Sequence, residues 1–208
     1  MNYDKLVNRT LADMKPSGIR KFFDIAAEMD EVISLSVGEP DFATPWHIRQ
    51  EGIKTLERGR TWYSPNAGLL SLRQAIGGYL NRRFDLTYDP KSEILVTVGG
   101  SEAIDLCFRA LITPGDEVLI PEPSFVCYDP LTRMAGGVPV ALPTRAEDAF
   151  RLTADTVAAA ITDKTKLLIL PYPCNPTGAI MERADLEAIA EVLRGTDIIV
   201  ISDEIYAE

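Results

Sequence analysis

The chain has 208 residues, 46% of them apolar and 25% charged, and a net charge of −10. That length holds one large domain or one and a half, and the composition is that of a globular chain rather than a disordered one. The acidic balance argues against nucleic acid as the main partner, and no apolar run approaches the ~20 residues of a membrane span.

The first residues, Met1-Asn2-Tyr3-Asp4-Lys5, lack the apolar stretch of a secretory signal. A cytoplasmic address is therefore expected. Residues 1–45 read as an arm with one amphipathic helix, its apolar side at Ile19, Phe22, Phe23 and Ala26. Val32–Val37 reads as a strand running into the turn Gly38-Glu39-Pro40-Asp41. Thr44-Pro45 predicts a helix start, with Thr44 as cap and Pro45 in the first helical position, and an end near Gly59. Residues 61–68 form a loop, and Leu69, Leu72, Ile76, Tyr79 and Leu80 mark another amphipathic helix.

From Glu93 the pattern alternates. Strands are predicted at Ile94–Val98, Glu117–Ile120, Val138–Leu142, Leu167–Leu170 and Ile198–Ile201. Helices are predicted at about 101–112, 155–161 and 184–193. Short Val/Ile/Leu strands between helices predict an α/β fold, with a mainly parallel sheet sandwiched by helices. Ligands in such sheets sit beyond the carboxyl ends of the strands.

His47 is the only histidine, which argues strongly against a multi-histidine metal site and a histidine-based triad. Cys107, Cys127 and Cys174 lie in or beside apolar segments without metal-type spacing, and are expected to be reduced, buried thiols.

The polar groups all follow strands. In Val98-Gly99-Gly100-Ser101-Glu102 a strand meets two glycines and a helix start. The free N–H groups of a helix start favour an anion such as phosphate, although Ser101 could equally be a plain N-cap. Phe125 and Tyr128 follow the second strand and could stack on a planar ring, or be core. Asn175 precedes Pro176, which holds it extended so that its amide projects from the strand tip. Asp203 ends a very apolar strand, where a carboxylate calls for a cationic partner, and Tyr206 follows three residues on. A ligand with a phosphate, an aromatic ring, a ring oxygen and a basic ring nitrogen would meet all of these. Pyridoxal phosphate has all four.

Five segments together resemble the class I/II aminotransferases, which are fold-type-I pyridoxal-phosphate enzymes. They are Gly38-Glu39-Pro40-Asp41-Phe42, Tyr63-Ser64-Pro65-Asn66-Ala67-Gly68, Gly99-Gly100-Ser101-Glu102-Ala103, Asn175-Pro176-Thr177-Gly178 and Asp203-Glu204-Ile205-Tyr206. The resemblance implies that residues 1–45 are an arm and part of the small domain, and that 46–208 are an incomplete cofactor-binding large domain. It implies that Asp203 pairs with the pyridinium nitrogen, making the ring an electron sink. Asn175 and Tyr206 would bond the ring's phenolate oxygen, and Phe125 would stack on the ring. Gly100, Ser101 and Glu102 would hold the phosphate. Tyr63 would reach the phosphate of the neighbouring subunit of a homodimer, and the Gly38 backbone would lie beside the substrate carboxylate.

The family's Schiff-base lysine lies beyond Tyr206 in its members, and none of the chain's seven lysines occupies that motif. Lys164 and Lys166 precede a strand, at the end opposite the site. Two strands of the family's sheet, placed between those at Ile94 and Ile198, are likewise not found in the chain. The expectation is therefore an aminotransferase fragment, acting in the family on an amino acid and a 2-oxo acid. Alone it is expected to be inactive for want of the Schiff-base lysine, and to fold poorly because an open sheet edge invites aggregation. A carbon–sulfur lyase of the same fold and a non-catalytic aminotransferase-like fragment are the alternatives. A regulator carrying such a domain is disfavoured, because about thirty residues before Val32 are too few for a DNA-binding module.

Overall fold

A computed structural model describes residues 6–15, 18, 22, 25, 28, 29, 33 and 42–208. All of the predicted strand at 32–37 except Ile33, together with Gly38 and most of the predicted first amphipathic helix, lies outside these residues. The chain forms two compact units, one holding residues 98–208 with the N-terminal segment and the other within residues 16–97.

Within the first unit, helix α1 (Arg9–Asp13) is capped by Asn8, whose side chain accepts from the Thr10 N–H at 2.9 Å. In the second unit, helices α2 (Trp46–Glu57) and α3 (Leu70–Phe84) flank the 61–68 loop. Helix α2 starts one residue later than predicted. Pro45 has a helical φ but an extended ψ of 139°, so it serves as the cap and makes no side-chain capping bond. The buried Arg73 of α3 donates through Nη1 to the carbonyls of Pro90 (2.7 Å) and Lys91 (3.2 Å), fixing the return of the chain.

The predicted strand at 94–98 is not a strand. A strand exists through its neighbour's ladder, and here the Val96 N–H donates instead to the Ala67 carbonyl of the loop, at 3.2 Å.

The first unit continues with helix α4 (Gly100–Leu111), strand β1 (Glu117–Glu122), helix α5 (Tyr128–Met134) and strand β2 (Val138–Pro143). A single 3₁₀ turn (Ala146–Asp148) precedes helix α6 (Ala154–Ala160), strand β3 (Thr165–Leu170), helix α7 (Arg183–Leu193) and strand β4 (Ile199–Ser202). All pairings are parallel, in the order β2-β1-β3-β4. Neighbouring β1 and β3 send their connections to opposite sides of the sheet, which creates a crevice at their carboxyl ends.

The core follows from the period of two along each strand. Val118 and Ile120 of β1 and Leu167 and Ile169 of β3 face one way, packing with Ile104, Phe108, Ile112 and Tyr128 from the α4 and α5 side. Leu119 and Leu168 face the other way, packing with Leu142, Leu152, Val157 and Ile189 from the β2, α6 and α7 side. Both faces of the sheet are therefore covered by helices, as its near-continuous apolar strands predict. Helix α7 begins in a capping box in which the Glu182 N–H donates to Asp185 at 3.0 Å. Helix α5 was not legible because it contains Pro130. Proline is tolerated in a first turn, where its missing N–H has no intrahelical acceptor.

Tyr172 donates its hydroxyl to the Phe150 carbonyl at 3.2 Å. Burial pushes this phenol up from 10.0 to about 12. The folded state therefore holds the proton more tightly than the unfolded chain. The stability from this neutral phenol is fully present below pH 10 and is lost as pH rises through about 12. Urea midpoints between pH 9 and 12 should fall less steeply for Tyr172→Phe than for the wild type. Parallel curves would contradict the assignment.

Candidate cofactor site

A cavity of about 180 Å³ opens at the carboxyl end of the sheet. Its walls come from the start of α4 (Gly100, Ser101, Ile104), the loop after β1 (Phe125, Tyr128), the loop after β3 (Pro171, Pro173, Asn175) and the segment after β4 (Asp203, Ile205, Tyr206). Six of the residues expected to hold a cofactor, Gly100, Ser101, Phe125, Asn175, Asp203 and Tyr206, thus line one cavity.

The start of α4 is shaped by Gly99, the N-cap, whose φ of 92° is readily adopted only by glycine. Ser101 is therefore inside the helix and is not its cap. A Cβ built on Gly100 would meet no described atom within 4 Å, so open space lies in front of the helix N-terminus. Glu102 does not line the cavity. Its carboxylate folds back to accept from the Val98 N–H, where it also complements the helix dipole.

Asp203 is half-buried, and its carboxylate is held by two neutral donors. The Tyr128 hydroxyl donates to Oδ2 at 2.8 Å, and the Ile205 N–H donates to Oδ1 at 3.2 Å. A cation was expected here, yet no ion pair involves Asp203 among the described residues. Hydrogen bonds from neutral groups stabilise a carboxylate without neutralising it, so the charge remains available to a cationic ligand.

Tyr128 had two readings in the sequence, ring-stacking or core. It is 1% exposed and packs in the core, with only its hydroxyl turned to the cavity wall. Burial, and secondarily Asp203, raise its phenol well above the usual range, so it stays a donor. Phe125 meets the Tyr128 ring edge-on, with centroids 6.0 Å apart and planes at 83°. Its aromatic neighbour thus steadies the exposed Phe125 ring at the cavity mouth.

Asn175 belongs to a tight turn in which the Gly178 N–H donates to the Cys174 carbonyl (2.7 Å) and the Cys174 N–H to the Ala179 carbonyl (2.9 Å). Cys127 is half-buried, and burial followed by the Asp203 charge pushes its thiol up to about 11. The expectation of three buried thiols holds for Cys174 alone. Cys107 is exposed because it sits beside, not on, the Ile104–Phe108 stripe of α4.

No lysine lines the cavity among the described residues. Lys164 immediately precedes β3 and Lys166 is its second residue, so both lie at the amino end of the strand, opposite the rim that carries the site. Tyr63 is fully exposed in the other unit.

The family model for class I and II aminotransferases matches residues 30–208. The chain belongs to that family. It is 54% identical, over 94% of its length and 50% of the relative's, to the Bacillus subtilis protein YugH, which is named as an aminotransferase. It is 49% identical to an aspartate aminotransferase of Pyrococcus abyssi, covering 93% of this chain and 50% of that one. The aromatic aminotransferase of Pyrococcus horikoshii superposes with a TM-score of 0.80 at 45% identity, over 88% of this chain and 48% of that structure. The chain therefore spans about half the length of the relatives it matches, and its parallel, helix-flanked sheet is that of the fold-type-I aminotransferases. Aminotransferases of this class generally use pyridoxal phosphate.

Proposed function

We propose that this chain is the cofactor-cradling portion of a pyridoxal-5′-phosphate aminotransferase, which moves an amino group between an amino acid and a 2-oxo acid. The observation that carries this reading is the convergence of a helix N-terminus, an aromatic face, an amide and a carboxylate on one cavity of about 180 Å³. Each matches one part of the cofactor. When bound, the cofactor supplies an electron sink for the bonds at the substrate's α-carbon.

The chain's own residues bind and orient. The N–H groups of Gly100, Ser101 and Glu102 face the phosphate, favoured by the helix dipole. Phe125 covers one face of the ring, Asn175 and Tyr206 bond the ring oxygen, and Asp203 holds a proton on the ring nitrogen. In the same reading 46–208 form the incomplete cofactor domain and 1–45 an arm and part of the small domain. The Gly38 backbone lies beside the substrate carboxylate. The working protein is a cytoplasmic homodimer in which Tyr63 reaches the neighbouring subunit's phosphate.

Pyridoxamine 5′-phosphate tests this directly, because it binds without covalent attachment. Calorimetric titration of the full chain should give one site per chain, with much weaker binding of pyridoxamine lacking the phosphate. Equal affinity for the two compounds, or none for either, would sink the proposal.

A further inference from the structure

Resting on the pyridoxal-phosphate reading, we infer that Tyr128 is a positioning residue that locks Asp203 and Phe125 into a fixed relation on the cavity wall. Three features of the structure carry this inference. The Tyr128 ring is immobilised, being 1% exposed in the cluster of Ile104, Phe108, Val118, Ile120 and Ile169. Its backbone is fixed at the start of α5, where the Thr132 hydroxyl donates to its carbonyl at 2.8 Å. Its hydroxyl then reaches across 75 residues of sequence to Asp203 Oδ2.

The consequence is geometric. A carboxylate free to rotate presents its oxygens in many directions, and this one is held by donors on both oxygens from two different segments. An ionised carboxylate is acceptor-only, so the phenol proton must lie between Tyr128 and Asp203. Each oxygen keeps further lone-pair capacity for a ligand. The same Tyr128 ring buttresses Phe125 edge-on. One buried side chain therefore sets both the acceptor for a ring nitrogen and the face on which that ring rests. A group held in place before binding loses less freedom on binding.

The test is a double-mutant cycle read by calorimetric titration of pyridoxamine 5′-phosphate into the full chain. The set is wild type, Tyr128→Phe, Asp203→Ala and the double variant. Phenylalanine keeps the packed ring and removes the hydroxyl alone. Binding is measured below the melting range of each variant, so a lower melting temperature does not enter the comparison. With Asp203 present, Y128F should weaken binding about three- to tenfold. In the Asp203→Ala background the same change should move affinity by less than about twofold, since the hydroxyl has no carboxylate to aim.

The absorption band of the bound ring should change in Y128F and stay put between Asp203→Ala and the double variant. A packing role would predict equal losses in both backgrounds, and that result overturns the inference. Wild-type binding that Y128F leaves unchanged overturns the positioning role alone. No binding by the wild type overturns the cofactor reading and the positioning role together.

Discussion

Replacing Asp203 with alanine should weaken pyridoxamine 5′-phosphate binding by roughly 10- to 100-fold. The bond at stake joins a carboxylate to a protonated ring nitrogen, and such charged hydrogen bonds are worth about 1.5–3 kcal/mol. No cation competes for Asp203 among the described residues, so its full charge is available to the ligand. The substitution also leaves the buried Tyr128 hydroxyl without its acceptor. An orphaned buried donor costs about 1–3 kcal/mol, so Asp203→Ala should lower stability as well. Adding Tyr128→Phe should return part of that stability without restoring binding. Calorimetry and urea unfolding on the same samples separate the two effects. A Kd within twofold of wild type would remove Asp203 from the site.

Phe108→Ala should cost about 3–5 kcal/mol, a large share of the roughly 5–15 kcal/mol that stabilises a typical domain. Phe108 is fully buried where α4 meets β1 and β3, beside Ile104 and Tyr128. Its loss leaves a cavity that rigid strands on one side cannot close. The damage should extend to the site, because Ile104 belongs both to this core and to the cavity lining. Phe108→Leu, which keeps most of the volume, should cost much less. Urea midpoints rank the three proteins, and a loss below about 1 kcal/mol for alanine would show that this face of the sheet is not packed as described.

The sheet was largely legible because its strands carry their own signature. Val118–Ile120 and Leu167–Leu170 are apolar at consecutive positions, as a strand covered on both faces requires, and Ile199–Ile201 carries the same pattern at the sheet's edge. Their polar neighbours Asn175 and Asp203 could be placed near one rim because a parallel sheet aligns its carboxyl ends. The segment at 94–98 has the same apolar signature and still forms no strand. Pairing depends on a neighbour, which a local pattern does not contain. The protein donors that hold Asp203 were not legible for a related reason. Burial of a carboxylate shows that something must compensate it, and cannot distinguish a cation from a phenol and a backbone amide. Tyr128 lies 75 residues away, and its apolar ring and polar tip left the core and the site equally open.

Strand β4 has only four residues and one described neighbour, β3, and Ile199 and Val200 remain more than a third exposed. Such a strand is the part of a sheet most easily peeled away. Its two ends are nevertheless unequal. Just past its carboxyl end the Asp203 N–H is tied to the Leu170 carbonyl at 3.0 Å, and the Asp203 side chain is tied over the top of β3 to Tyr128. The amino end rests on the packing of Ile198 against the α7-side core and has no comparable hydrogen-bonded tie beyond the ladder among the described residues. Unzipping of β4 should therefore run from Ile199 toward Ser202, and the rim that carries the site should be the last of the strand to let go. The weakest strand of the sheet thereby keeps its most useful end closed.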